Sequence, residues 1–176
     1  MARNMPIEQG FSRDGFITDQ DCFSSVRYRT IPASDNGCGF IAAYNLRRAL
    51  GHAVSWEDVR KEMDGMHRLR IPGPTLMNVM RKYLLYHVPG CEEVSGRNEA
   101  VSAAEESSAG IFRYMEGRVP HYVSYMLQDD GRFRFFNVAE GLEDCTMTMK
   151  QFAEEHLRRG AVIVLYVPKC FQCETS

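Results

Sequence analysis

DNGCGFIAAYNL, residues 35–46 of the chain, joins a polar, turn-prone run to a stretch of small and apolar residues. Asp and Asn often cap helices, because their side chains accept a hydrogen bond from an otherwise unpaired amide. The junction therefore predicts that Asp35 or Asn36 caps a helix that begins at Cys38 and ends near Gly51. Apolar residues recur at helical spacing and predict its buried face: Ala42, Leu46, Ala49 and Ala53.

Cys38 thus falls in the first turn of the predicted helix. Free amides and the helix dipole at that position favour an anion, and so favour a thiolate. Gly37 and Gly39 leave the sulfur flanked by backbone without side chains, so that a substrate carbonyl can approach closely. The pattern predicts a nucleophile. The alternative is a buried, inert cysteine in a tight turn before a core helix, because cysteine is among the most buried residue types.

The 176-residue chain is long enough to bury about two-thirds of its unfolded surface in one domain. Its apolar content of 44% and charged content of 25% are typical of a soluble globular protein. A net charge of −2 argues against a general nucleic-acid binder, which usually carries a basic face. No apolar run approaches the ~20 residues of a membrane span. The first residues lack the apolar centre of a secretory signal.

Six cysteines are scattered without the spacing of a disulfide framework: Cys22, Cys38, Cys91, Cys145, Cys170 and Cys173. In a chain of this length without a signal segment, we interpret them as reduced thiols of a cytoplasmic protein. Cys170 and Cys173 form a Cys-x-x-Cys pair that would suit zinc. Zinc needs about four ligands, however, and no second Cys/His pair has ligand spacing. We therefore expect neither a metal nor a cofactor.

The first half of the chain is predicted to be mainly helical, after a short strand at 26–31. A second helix is expected after Ser55 and a third after Thr75, each with that residue as its cap. Residues 91–109 are rich in Glu, Ser and Ala. They predict a weak, exposed helix over 98–107 or a mobile flap.

From Gly110 onward the pattern becomes strand-like, with alternating and β-branched residues. Asp-Gly at 130–131 is a strong hairpin signal, and Thr148 is expected to cap a helix. Four strands are predicted: 111–115, 121–127, 132–137 and 161–167.

Helices first and an antiparallel sheet second predict an α+β domain. We place this single domain at residues 26–168, after an irregular N-terminal arm at 1–25 and before a C-terminal tail at 169–176.

His121 has the most informative context of the five histidines. It opens a predicted strand, and the partner strand of the same hairpin ends at Asn137. The first residue of one hairpin strand lies opposite the last residue of the other, so the two should be neighbours at one sheet edge. An amide oxygen on Asn137 would then hold the imidazole in one tautomer. Each residue alone has an ordinary structural explanation, but the joint pattern favours a base and its orienting group.

Three short motifs occur in the order known from one family: Asn-Gly-Cys-Gly at 36–39, His-Tyr-Val at 121–123 and Phe-Phe-Asn at 135–137. With them the chain resembles the papain-like cysteine peptidases, most of all the bacterial branch that processes double-glycine bacteriocin leaders. The resemblance covers roughly residues 31–167. It implies a papain-like fold, with the nucleophile helix packed on a C-terminal antiparallel sheet, and hydrolysis of a peptide or related amide through an acyl-enzyme. The implied triad is Cys38, His121 and Asn137.

One position departs from the family's pattern. The family usually carries a glutamine six residues before the cysteine, which donates to the oxyanion, whereas this chain has Pro32 there. We expect Asn36 to substitute, helped by the backbone amide of Cys38. The resemblance implies a peptide or protein substrate, and we place the groove walls at residues 65–75 and 91–109.

Two other functions remain open on the sequence. A non-catalytic papain-like domain that binds a peptide or a protein partner would explain the missing glutamine. The same triad would also support acyl transfer, or hydrolysis of an amide that is not a peptide.

Overall fold

The structure is a computed structural model that describes residues 5–68, 71–138, 145–158 and 160–168. Six α-helices follow one another in these residues: α1 (Ala33–Asn36), α2 (Cys38–Ala49), α3 (Trp56–Met66), α4 (Met77–His87), α5 (Arg97–Glu105) and α6 (Met149–Glu155). Two short 3₁₀ helices precede them, Ile7–Gly10 and Gln20–Phe23. None of the helices in the described residues is long and apolar enough to cross a bilayer.

Eight strands complete the described fold: β1 (Arg27–Tyr28), β2 (Ile31–Pro32), β3 (Cys91–Ser95), β4 (Ala109–Glu116), β5 (Val119–Leu127), β6 (Phe133–Phe136), β7 (Cys145–Met147) and β8 (Val164–Pro168). β1 and β2 form a small hairpin, and the other six form one antiparallel sheet in the order β3-β8-β4-β5-β6-β7. The predicted α+β class is confirmed. The predicted hairpin is also present, since β5 pairs with β6 across a turn that contains Gly131 at a φ of 80°.

Helices cover both faces of this sheet and define two apolar cores. The first core joins α2, α3 and α4 to one face, through buried side chains such as Phe40, Leu46 and Tyr122. The second core joins α5 and α6 to the other face, around Phe112 and Phe152. α2 packs directly on β4 and β5, so the helix that begins at Cys38 lies against the antiparallel sheet as predicted.

Local sequence explains several helix starts. The side chain of Ser55 accepts from the amide of Asp58 at the start of α3. Thr148 and Gln151 form a reciprocal capping box at the start of α6. Thr75 does not cap α4 as predicted, because Leu76 occupies the cap position and the Thr75 hydroxyl is hydrogen-bonded to Tyr28 instead.

The start of α2 differs from the prediction. Asp35 and Asn36 belong to α1, a single helical turn that leads into α2 through Gly37. Gly37 occupies the cap position, and no side chain accepts a hydrogen bond there. Neither Asp35 nor Asn36 is therefore the cap, because both are already part of a helix. Cys38 is nonetheless the first residue of α2, as expected.

Two further segments differ from the sequence-based expectation. Residues 26–31 do not form one strand, because Arg29 and Thr30 adopt positive φ angles and fold the chain into the β1–β2 hairpin. Residues 91–109 contain the predicted helix, α5, but begin with a strand, β3, that adds to the sheet edge beside β8.

The described part of the N-terminal arm is packed on the domain. Ile17, Cys22 and Phe23 are fully buried in the first core. The two 3₁₀ helices contact each other, and the second contacts α1. The arm thus reaches the start of α2, whereas the tail at 169–176, with its Cys170 and Cys173 pair, lies outside the described residues.

Candidate functional site

Cys38 stands where α1 gives way to α2, and its side chain is almost fully buried, with 4% exposed. The flanking glycines allow this position to pack closely. A Cβ on Gly39 would lie 2.1 Å from the Thr75 hydroxyl oxygen, and one on Gly37 would lie 2.5 Å from the Ala33 carbonyl oxygen. We expected these two glycines to expose the sulfur to a substrate. In the structure they allow the start of α2 to pack closely against Thr75 and Ala33.

His121 lies near the start of β5, close enough to Cys38 for the cysteine side chain to raise the pKa of the ring. The other contact of the ring is a 2.8 Å hydrogen bond between Nε2 and the backbone carbonyl oxygen of Asn137. A carbonyl can only accept, so Nε2 must carry a proton. In the neutral ring, Nδ1 is then the basic nitrogen. Nδ1 also lies 3.9 Å from a carboxylate oxygen of Glu116.

These neighbours determine the charge state of His121. Burial lowers the pKa of the imidazole. The hydrogen bond and charge of Cys38, the Asn137 carbonyl and the Glu116 charge all raise it, and the net pKa lies above its ordinary value. The surroundings of His121 therefore favour the imidazolium form, which suits a partner that bears a thiolate.

Asn137 is close to His121 as predicted, but its side chain does not face the ring. Its amide oxygen accepts from the backbone amide of Gln20 over 3.2 Å, and its amide nitrogen donates to the side-chain oxygen of Gln20 over 3.1 Å. The residue has a φ of 61°, a left-handed conformation that Asn tolerates better than most side chains. The expected amide-to-imidazole bond is thus replaced by one from the main chain.

Asn36 is also beside Cys38, but its amide cannot act as predicted. Its nitrogen donates to the carbonyl oxygen of Tyr28 over 2.9 Å and to that of Gly73 over 3.1 Å. Both of its N–H groups are therefore committed, and none is left for an oxyanion. Its amide oxygen is buried and has no hydrogen-bond partner among the described residues.

A cleft of about 480 Å³ contains all four predicted site residues in its walls. It is also lined by residues of the N-terminal arm, Thr18 to Asp21, and by Gly73, Pro74 and the ends of β4 and β5. Residues 73–74 belong to one predicted groove wall, whereas no residue of 91–109 lines the cleft, because β3 and α5 occupy the far edge and the opposite face of the sheet.

The other described cysteines have different surroundings. Burial and the charge of Asp19 raise the pKa of Cys22 to about 11, and burial raises that of Cys91 to about 12. Cys145 is buried, which raises its pKa too. Of these four thiols, Cys38 is the one that shares a cleft with a histidine whose pKa it raises.

Gln20 is a residue of this cleft that sequence reasoning missed. Its backbone amide and side-chain oxygen bind the two polar atoms of the Asn137 side chain. Its side-chain nitrogen donates to the Ser34 carbonyl oxygen over 2.7 Å. Gln20 and Asn137 are 117 positions apart. No local pattern joins residues so distant, so only the fold of the arm reveals this contact.

No protein-family model matches the chain, and no curated protein matches it. Among solved structures, it is similar to the peptidase domain of Streptococcus ComA, a bifunctional ABC transporter involved in a quorum-sensing pathway. The match has a TM-score of 0.50 and 15% sequence identity, and it covers 77% of this chain and 93% of that domain. The two share a fold. The papain-like architecture expected from the three motifs is thereby confirmed.

Proposed function

We propose that the protein is a cysteine peptidase-like hydrolase in which Cys38 is the nucleophile and His121 its base. The observation that carries this proposal is that Cys38 and His121 line one cleft, beside each other, and that Nε2 of the ring is held by the Asn137 carbonyl. This arrangement has a nucleophile, a base and a group that orients the base. The shared fold with a peptidase domain supports the same reaction class.

The chemistry follows from the tautomer of His121. Nδ1 takes the thiol proton, and the Cys38 sulfur attacks the carbonyl carbon of a peptide or related amide. The tetrahedral intermediate collapses when Nδ1 returns the proton to the leaving amine, and a thioester remains on Cys38. A water molecule then attacks the thioester while Nδ1 accepts its proton. This step releases the acid and restores the thiol.

Two oxyanion donors were expected from the sequence, the Asn36 side chain and the Cys38 backbone amide, and only the expectation for Asn36 is wrong. Asn36 has no N–H group left to donate. We assign the oxyanion to the backbone amide of Cys38 at the first turn of α2, where helix amides lack partners within their own helix. Gln20 is assigned a positioning role, because its hydrogen bonds hold Asn137 and the Asn137 carbonyl in turn orients His121.

A labelling experiment tests the nucleophile and the base. With sub-stoichiometric iodoacetamide at pH 7, we expect Cys38 to be alkylated far faster than Cys22 and Cys91, whose raised pKa values keep them as thiols. His121→Gln should slow Cys38 alkylation by at least tenfold and leave Cys22 and Cys91 unchanged. Peptide mapping by mass spectrometry gives all three rates in one sample. Equal rates at the three cysteines would rule out an activated Cys38.

A cleavage experiment tests hydrolysis itself. Incubation with a peptide library, followed by mass spectrometry, should yield fragments with the wild type and none with Cys38→Ala. The second candidate function, a non-catalytic domain that binds a peptide, is favoured by one observation: neither Pro32 nor Asn36 supplies a side-chain donor to the oxyanion. Fast labelling of Cys38 with no cleavage of any library member would select that alternative.

A further inference from the structure

The walls of the cleft that contains Cys38 and His121 are negatively charged. Four carboxylate residues line it: Asp19, Asp21, Asp35 and Glu116. No Lys or Arg is among the described residues that line the same cleft. The chain as a whole has nearly balanced charge, with 21 basic and 23 acidic residues. The excess of carboxylates is therefore a local property of this cleft.

Three of these carboxylates form no ion pair with a Lys or Arg of the described residues. Asp19 accepts from the backbone amide of Asp21 and from the Cys22 thiol, both of which are neutral groups. Asp35 accepts from the Ser34 hydroxyl over 3.4 Å. Glu116 lies 3.9 Å from Nδ1 of His121, and its charge also acts to raise the pKa of His156. Their charges thus act on whatever enters the cleft, because a cleft with low-dielectric walls concentrates the field of its charges.

A second feature of the cleft wall also calls for a hydrogen-bond donor. Asn36 is 3% exposed, and its amide oxygen has no partner among the described residues. A buried acceptor without a donor is unfavourable, and Asn36 lines the cleft, so this oxygen adds an unmet demand for a donor at the cleft wall. Ammonium and guanidinium groups have only donors and carry positive charge. The charge of the walls and this unpaired acceptor therefore favour the same ligand chemistry.

We propose that the cleft binds cationic peptides, with a Lys or Arg side chain placed close to the bond that Cys38 attacks. This inference rests on the proposed function for the position of the scissile bond, but the preference for cations is a property of the cleft itself. It can therefore be measured on Cys38 whether or not hydrolysis occurs.

Charged thiol reagents measure the field at the sulfur directly. The Cys38 thiolate attacks the sulfenyl sulfur of a methanethiosulfonate, so that a disulfide forms and methanesulfinate leaves. We would compare the 2-ammonioethyl reagent with the 2-sulfonatoethyl reagent at 10 mM ionic strength. Each rate is divided by the rate of the same reagent with 2-mercaptoethanol. Mass spectrometry of the Cys38 peptide excludes the other cysteines. We expect the cationic reagent to be about tenfold faster, and the ratio to fall towards one in 1 M salt.

Variants that remove charge test whether the carboxylates of the cleft cause the faster reaction of the cationic reagent. The double variant Asp19→Asn/Asp35→Asn should lower the rate ratio several-fold, while Glu116 is left intact because it also contacts His121. The matched control is Glu105→Gln/Glu154→Gln, which removes the same charge from exposed residues of α5 and α6 outside the cleft. This control should leave the ratio unchanged. A ratio of one or less in the wild type, or an equal fall in both double variants, would overturn the proposal.

A peptide experiment separates the substrate preference from the reaction. Acetyl-Ala-Ala-Lys-Ala-Ala-amide should protect Cys38 from iodoacetamide at concentrations where the peptide with Glu in place of Lys does not. If the Lys peptide protects and neither peptide is cleaved, the cation preference stands and the hydrolase proposal fails. If both peptides are cleaved at equal rates and protect equally, the hydrolase proposal stands and the cation preference is wrong.

Discussion

The backbone carbonyl oxygen of Asn137 accepts a hydrogen bond from Nε2 of His121 over 2.8 Å, while the Asn137 side chain turns away to Gln20. The group that orients the imidazole is therefore part of the main chain. Its position depends on the left-handed backbone at residue 137 and on the two hydrogen bonds from the N-terminal arm. Substitutions at either place should act on the ring without touching it.

Asn137→Gly and Asn137→Ala separate the backbone from the side chain. Glycine adopts a φ of 61° freely, whereas a residue with a Cβ pays about 1–2 kcal/mol there. We expect Asn137→Gly to slow Cys38 alkylation about fivefold, from the loss of about 1 kcal/mol of hydrogen bonding to Gln20. Asn137→Ala should be about tenfold slower again, because its backbone is strained. Equal losses would show that the side chain, and not the carbonyl, orients His121.

Gln20→Ala should slow Cys38 alkylation about fivefold, by removing the acceptor of the Asn137 amide nitrogen. Gln20→Glu keeps an acceptor at that place and should retain most of the rate. Gln20→Ala and Asn137→Gly should not be additive when combined, because both remove the same contact. If Gln20→Glu keeps the alkylation rate of Cys38 but loses peptide cleavage, Gln20 would instead be assigned as a donor to the oxyanion.

The raised pKa of His121 depends on Cys38. In Cys38→Ala, burial still lowers the pKa while the hydrogen bond and charge of the thiol are gone, so the pKa should fall relative to the wild type. An NMR titration of the Cε1 proton of His121 measures both values. His67, whose pKa is lowered by burial and by the charge of Arg29, provides the internal control, and its pKa should be the same in both proteins. An unchanged His121 pKa in Cys38→Ala would contradict the thiol–imidazole pair.

The same shift links stability to pH. A group whose pKa is raised by folding stabilises the protein fully below its unfolded pKa of about 6.5, and this contribution is lost as the pH rises through the folded value. The free energy of unfolding of the wild type, minus that of His121→Gln, should therefore be largest below pH 6.5 and should decline at higher pH. Urea titrations from pH 5.5 to 9 test the sign. A difference that grows with pH would be inconsistent with a raised pKa.

Gly39→Ala tests the packing at the start of α2. Its Cβ would meet both the Oγ1 and the Cβ of Thr75 at 2.1 and 2.4 Å, so Thr75 must shift and break its bond to Tyr28. We expect a loss of about 1–3 kcal/mol in thermal unfolding, and a slower alkylation of Cys38. Gly65→Ala in α3 is the matched control, since nothing lies within 4 Å of its added Cβ. It should stabilise by about 0.5–1 kcal/mol, since Ala is the better helix former.

Much of this architecture is determined by local sequence. Three predicted features depend on contacts within a few residues, and each appears in the structure. They are the helix after Cys38, the helix caps at Ser55 and Thr148, and the Asp-Gly turn at 130–131. That His121 and Asn137 lie close together was also predictable from the hairpin, although the observed register, which pairs Ser124 with Phe136, shifts them two residues from the direct opposition expected. Periodicity and turn chemistry were therefore nearly sufficient to identify His121 and Asn137 as neighbours.

Tertiary structure alone decided how these residues face one another. Local sequence places Asn137 beside His121, but the direction of its amide depends on Gln20, which the packing of Ile17 and Phe23 into the first core brings to the cleft. The side-chain nitrogen of Asn36 likewise donates to the carbonyls of Tyr28 in β1 and of Gly73 before α4, which come together only in the fold. Side-chain hydrogen bonds go to the nearest available partner in space, and that partner need not be near in the chain.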